Sequence, residues 1–340
     1  MSTLLLFDDA MIEHDPGTGH PECPDRLRAI ADRLARDPVA GTRIAAPTPV
    51  GRVAVERVHP SEHVQRIYAA EGKHVTLDPD THLSPGSIAA ARLAAGAAVD
   101  AVDAVMGPDA DNAFAFVRPP GHHALADRSM GFCVFNNVAI AAEHARQVHG
   151  LERVLIVDWD VHHGNGTQAV FYDRSDVLFV SSHQFPFYPG TGAVRETGTG
   201  DGEGYTVNLP YGPGACDADL RKAFTEVLHP IAESFEPDLV LVSAGFDGHR
   251  SDPLGQFELS REGFADLCGE VRGIADRHAN GRLVMLLEGG YDLEALAASA
   301  HACTQVLAGA SPPDNAGSGT RGGDATLTQT VNEHRARWLS

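Results

Sequence analysis

Asp158, Asp160, His162 and His163 crowd into DWDVHHGNG, directly after the aliphatic run Val154–Val157. Side chains alternate with period two along an extended backbone, so a strand continuing through 162 puts Asp158, Asp160 and His162 on one side. Asp160 and His162 then make two ligands for a metal. Asp247, in GFDGHRSDP after another aliphatic run, is the best third. Two carboxylates, one imidazole and an open position suit a catalytic Zn²⁺, or Fe²⁺ with similar ligands.

A second element is the tandem His122-His123 in RPPGHHA. Two adjacent histidines can be further metal ligands, an acid–base pair, or residues with no chemical task. Pro119, Pro120 and Gly121 stiffen and then turn the backbone ahead of them, which fixes where the rings point. A histidine in acid–base work needs a partner on its other nitrogen. Asp158 and Asn165 are available if the two loops meet. A carboxylate raises the basicity of its ring, whereas an asparagine only orients it. Tyr291, after Glu-Gly-Gly, is the third element: glycines allow close backbone approach, and a tyrosine hydroxyl can stabilise an oxyanion.

Short aliphatic runs predict strands at 3–7, 113–117, 153–158, 177–182, 239–244 and 283–287. Helical periodicity falls between them, near 24–36, 61–71, 86–106, 136–148, 217–234, 260–278 and 292–308. Strands that are apolar throughout and separated by helices imply a mostly parallel sheet covered on both faces. Ligands gather at the carboxyl ends of such strands. Five of these ends lead into glycine-rich tails that carry His, Asp or Tyr, which places them on one rim. No internal repeat or composition shift marks a second domain. We expect one domain over 1–310, a Pro/Gly/Ser-rich loop or linker at 311–325, and a helix at 326–340 packing on the same domain.

The 340 residues are 43% hydrophobic and 21% charged, enough for a large core. A net charge of −20 argues against nucleic-acid binding, which needs a basic face. Five cysteines without a CxxC pair point to a reduced, cytoplasmic chain rather than a disulfide scaffold. MSTLLLFDDAM reads as a first strand, not a signal peptide. Arg92, Asp100 and Asp103 in the most apolar helix argue against a membrane span.

The motifs HPECPDRL (20–27), RPPGHHA (118–124), GFCVFNN (131–137), DWDVHHGNGTQ (158–168), YPGTG (188–192), AGFDGHRSDPLG (244–255) and EGGYD (288–292) together resemble the histone deacetylase and acetylpolyamine amidohydrolase family, in family order. The likeness is to its bacterial, class II-like members, and it covers roughly 5–308. It implies a single arginase-like α/β domain. By this resemblance Asp160, His162 and Asp247 match zinc ligands, His122 and His123 the paired active-site histidines, and Tyr291 the oxyanion-stabilising tyrosine. Asp158 matches the residue that orients the first histidine and also ligates a buried structural K⁺. The main-chain oxygens of Asp160 and His162, with Ser181 and the carbonyl of Ser182, complete that potassium set. Gly131, Phe132 and Tyr188 match the walls of an acyl-lysine tunnel. Arg26 matches an arginine near the exit for the released acid.

The resemblance implies a metal-dependent hydrolase of acyl-lysine peptides or proteins, or of small N-acyl amines such as acetylpolyamines. Leu254 stands where a polyamine-specific branch carries glutamate, and no long insertion interrupts 74–88; both favour acyl-lysine. A dinuclear manganese ureohydrolase of the same fold needs extra aspartates, and His163-Gly164 occupies their place. A silent acyl-lysine reader would lack Tyr291, His123 or a metal ligand, and all are present. His163 receives no role, and the oligomeric state is left open.

Overall fold

The computed structural model describes residues 2–313 and 317–339; positions 314–316 of the expected linker, Met1 and Ser340 lie outside the described residues. The chain begins with β1 (Thr3–Leu6), α1 (Asp25–Arg36), β2 (Thr42–Ala45), α2 (Arg52–Val55) and α3 (Ser61–Tyr68). Next come β3 (Val75–Asp78), β4 (Thr81–Leu83), α4 (Ser87–Met106), β5 (Asn112–Ala115), α5 (Asn137–His149) and β6 (Val154–Asp158). They are followed by α6 (Asn165–Phe171), β7 (Val177–Gln184), β8 (Thr206–Tyr211), α7 (Asp217–Ala223) and α8 (His229–Phe235). The remainder is β9 (Leu239–Ala244), α9 (Arg261–His278), β10 (Leu283–Leu287), α10 (Leu293–Leu307) and α11 (Arg321–Trp338).

Eight strands form one sheet in the order β2-β1-β5-β10-β9-β6-β7-β8, with every neighbouring pair parallel. β3 and β4 form a separate antiparallel hairpin. The six aliphatic runs are the six inner strands. Their side chains are buried on both faces because helices cover the sheet: α4 and α5 pack together on it, as do α1, α9 and α10.

The two edges are what the aliphatic pattern misses. β2 reads TRIA and is half-exposed along its length. β8 reads TVNLPY, and its Pro210 is tolerated only because no further strand pairs with that side. α11 covers this edge. Thr326 Oγ1 donates to the Pro210 carbonyl (3.0 Å), Thr330 Oγ1 to that of Asn208 (3.1 Å) and Trp338 Nε1 to that of Gly204 (2.7 Å). The hydroxyls satisfy strand oxygens that would otherwise face water or another chain. α11 starts earlier than the expected 326 because Thr320 caps it, accepting from Gly323 N.

The helix expected over 217–234 is α7 and α8 joined by a wider π turn at Phe224–Leu228. Pro230 follows at the start of α8 and has no N–H to continue the regular ladder. Among the described residues no helix is long and apolar enough to cross a membrane.

Candidate active site

β6 stops at Asp158 instead of running on to 162 as alternation suggested. Residues 159–163 leave the strand through turns in which each aspartate caps the amide two residues on. Asp158 Oδ1 accepts from Asp160 N (3.1 Å), and Asp160 Oδ1 from His162 N (2.8 Å). The short carboxylate competes with the strand ladder here and wins. Asp247 arrives from the loop after β9, and its Oδ1 accepts from Val161 N (2.8 Å).

This geometry brings Asp160, His162 and Asp247 together, with ligand atoms all within 4.8 Å of one another. His162 Nδ1 lies 3.2 Å from Asp160 Oδ1 and 3.1 Å from Asp247 Oδ2. Gly245 and Gly289 border the group, and a Cβ on either would collide with the carboxylates. Gly289 N–H donates to Asp160 Oδ2 (2.8 Å). Burial and the charge of Asp160 push the Asp247 carboxyl up to about 7. Burial opposes charge on His162 too, yet its bonds to Asp160 and Asp247 lift it to about 10. Two buried carboxylates held against each other around one imidazole are a donor set that a divalent cation would neutralise, and the set fits zinc.

Two other clusters are tied by hydrogen bonds of their own. One oxygen of Asp103 accepts from His144 Nε2 and His149 Nε2 (2.6 Å each), and Arg57 donates to His144 Nδ1 (3.1 Å). His122, Cys133 and Glu288 also lie close together, but the Cys133 thiol donates to the Gly131 carbonyl (3.3 Å), and burial raises its pKa well above normal.

The tandem histidines stand beside the three donors, their rings 4.0 Å apart. Their outer nitrogens meet different partners. His122 Nδ1 lies 3.0 Å from Asp158 Oδ2, and His123 Nδ1 lies 2.8 Å from Asn165 Oδ1, at the first residue of α6. α6 itself escaped the periodicity reading because it is so short. Burial penalises charge on both rings. On His122 the Asp158 and Asp160 carboxylates outweigh that penalty and raise its pKa well above normal. On His123 the neighbouring His122 and His162 charges add to it, and its pKa falls well below normal. The two rings are thus biased in opposite directions, His122 toward its charged form and His123 toward its neutral form, and with Nδ1 against the Asn165 oxygen the lone pair of His123 lies on Nε2.

A cavity of about 200 Å³ leads down to these groups. Gly131, Phe132, Tyr188, Leu254 and Tyr291 all line it, with Asp80 and Phe187, which the motifs did not single out. Phe187 stacks on His162 (5.3 Å, 17°), and Tyr188 stands edge-on to His123 (5.2 Å). Burial and the Asp247 charge keep the Tyr291 phenol protonated, its pKa raised well above normal. Asp252 Oδ2 accepts from Tyr291 N (2.6 Å) and Asp292 N (3.1 Å), fixing where the tyrosine leaves the backbone. Asp292 then caps α10.

Arg26 does not line the cavity. It lies fully buried behind Tyr291, with its guanidinium 5.0 Å from the ring centroid. Its donors go to Gly290 O (2.6 Å), Glu288 O (2.5 Å) and Glu22 Oε1 (2.9 Å). Glu22 also takes Arg118 through both oxygens (2.5 and 2.7 Å). Burial opposes ionisation of Glu22, but Arg118 outweighs it and holds the carboxyl well below its usual range. Glu288 Oε2 accepts from Gly121 N (2.7 Å) and His122 N (3.1 Å), so it anchors the loop carrying the histidines. Glu22, Arg118, Glu288 and Asp252 sit inside the quoted motifs, but only contacts between distant segments reveal their tasks.

Ser181 pairs in register with Asp158 across β6 and β7. His183 Nε2 faces the Gly192 carbonyl (2.8 Å), so that nitrogen carries the hydrogen and Nδ1 accepts from Ser181 Oγ (2.9 Å). The serine hydrogen is thus spent on His183, leaving its oxygen lone pairs for a cation. Ser182 leaves the strand on the face opposite Ser181, so the ligand expected of it is its carbonyl and not its hydroxyl. The residues present fit an oxygen-ligated potassium ion.

Comparison with known proteins places this geometry. A histone deacetylase domain model matches residues 20–307. A probable deacetylase of Archaeoglobus fulgidus is 39% identical over 297 residues, which is 86% of this chain and 82% of that protein. A histone deacetylase-like amidohydrolase of Pseudomonas aeruginosa is 40% identical over 293 residues, 85% of this chain and 77% of that one. Histone deacetylase 15 of Arabidopsis thaliana is 42% identical over 92% of this chain, though the match spans only 57% of the plant protein. A crystal structure of an HDA15 HD domain superposes with a TM-score of 0.93 at 40% identity, covering 99% of this chain and 95% of that one. With the motifs, the parallel sheet and the matched span in agreement, the chain belongs to the histone deacetylase family and has its arginase-like fold.

Proposed function

We propose that the protein is a zinc-dependent amide hydrolase that removes acetyl or related acyl groups from lysine side chains, acting in the cytoplasm. The observation that carries this reading is the unequal pair of histidines, one against a carboxylate and one against an amide oxygen, beside three convergent donors at the foot of a narrow cavity. Asp160, His162 and Asp247 hold the zinc, which when bound polarises the amide carbonyl and lowers the pKa of a water. His123, neutral at the outset, takes the proton of the attacking water and returns it to the departing amine. His122, held charged by Asp158, supplies positive potential without moving its proton. Asn165 orients His123 through its amide oxygen. Tyr291 keeps its phenolic hydrogen and donates it to the developing oxyanion.

Gly131, Phe132, Tyr188 and Leu254 sheath the alkyl chain, excluding water from the reacting amide. Arg26 stabilises the segment behind Tyr291, near where the family resemblance puts the exit for the released acid. Asp158 and Ser181, with the main-chain oxygens of Asp160, His162 and Ser182, would hold a structural K⁺. Neither nucleic acid nor membrane is a partner in this reading. The substrate is distinguished by assaying acetyl-lysine peptides beside acetylated polyamines at equal concentration. Higher kcat/KM on the peptides supports the reading, and the reverse order assigns the protein to small N-acyl amines.

A further inference from the structure

His163 is fully buried one residue beyond a proposed zinc ligand, but it points away from the cavity. Its environment fixes its protons. Gln168 Nε2 donates to Glu196 Oε2 (2.7 Å), which turns Gln168 Oε1 toward His163 Nε2 (2.9 Å) and Asn208 Nδ2 (2.9 Å). His163 therefore donates through Nε2 and accepts from Thr191 Oγ1 through Nδ1 (2.8 Å). The same few groups hold the neighbouring turn. Glu196 accepts from Gly192 N and Ala193 N (3.0 Å each), and His183 donates to the Gly192 carbonyl (2.8 Å). Gly192 has φ +93°, and a Cβ there would strike both histidine rings. These bonds converge on the end of the loop whose start carries Phe187 and Tyr188.

We propose that His163 is a positioning residue for substrate selection: through Thr191 and Gln168 it fixes the 185–197 loop and so the width of the acyl-chain cavity. The proposal rests on the acyl-lysine reading given above. It separates His163 from the chemistry performed by its neighbour. A wall held by a network of hydrogen bonds discriminates acyl groups by fit, and a loosened wall loses substrate binding more than turnover.

Thr191→Val tests this on the full chain, since Thr191 is exposed and valine keeps its shape while removing the donor to His163. The expected result is a KM for acetyl-lysine peptide raised roughly five-fold, with kcat within about twofold of wild type. Zinc content stays unchanged, preference for acetyl over bulkier acyl groups narrows, and amide hydrogen exchange over 185–197 quickens. Thr191→Ser, which keeps the hydroxyl, restores wild-type values. Unchanged KM and exchange overturn the proposal, as does a fall in kcat at constant KM. If the wild type hydrolyses no acyl-lysine peptide, the functional reading fails, and hydrogen exchange alone decides the positioning role: faster exchange in Thr191→Val upholds it, unchanged exchange overturns it.

Discussion

At the scale of single residues, two rings of the same type are biased toward opposite protonation because their outer nitrogens meet different atoms. His122 faces a carboxylate and His123 an amide oxygen, and burial amplifies the difference. Tyr291→Phe should fold and bind zinc like the wild type but lose roughly 10²–10³-fold in kcat, the usual cost of one oxyanion donor. Steady-state kinetics with metal analysis checks this; kcat near wild type would remove the tyrosine from the reaction. Gly289→Ala places a methyl against the Asp247 and Asp160 oxygens. It should weaken zinc affinity roughly 10–100-fold, read by competition with a chelator. These residues were legible in the sequence because each follows an aliphatic run that ends in ionisable side chains. Glu22 and Arg118 were not, because their meaning is a bond between segments 96 positions apart.

At the scale of elements, the sheet divides into what hydrophobicity writes plainly and what it does not. The inner strands are apolar on both faces and stood out. The edges β2 and β8 are half-exposed or interrupted by proline, and only pairing defines them. The short β3–β4 hairpin was hidden for the same reason, although its Asp80 reaches the cavity. α11, expected only to pack somewhere on the domain, covers the β8 edge. Thr330→Val removes the hydroxyl that reaches the Asn208 carbonyl and should cost about 1 kcal/mol in urea denaturation. A stability equal to wild type would show that the hydroxyl does not hold the edge.

At the scale of the whole molecule, buried neutral histidines tie stability to pH. His59 accepts from Asn136 N at Nε2 and donates to the Ala126 carbonyl from Nδ1, so both nitrogens are committed. Burial lowers its pKa from 6.5 to about 4. Between those values the unfolded chain takes up a proton that the native ring refuses. The contribution is therefore full above pH 6.5 and drains away as the pH falls toward 4, amounting to about 3 kcal/mol. Denaturation curves at pH 7 and pH 5 should show about 2 kcal/mol of this loss, and His59→Gln should flatten it. The candidate metal site carries the central claim, and one measurement tests it most directly. Protein stripped by a chelator is titrated with Zn²⁺ while hydrolysis of an acetyl-lysine peptide is followed. The account predicts no turnover in the stripped protein and activity rising linearly to a plateau at one equivalent. Full turnover without metal, or zinc binding at one equivalent with no hydrolysis, would contradict it.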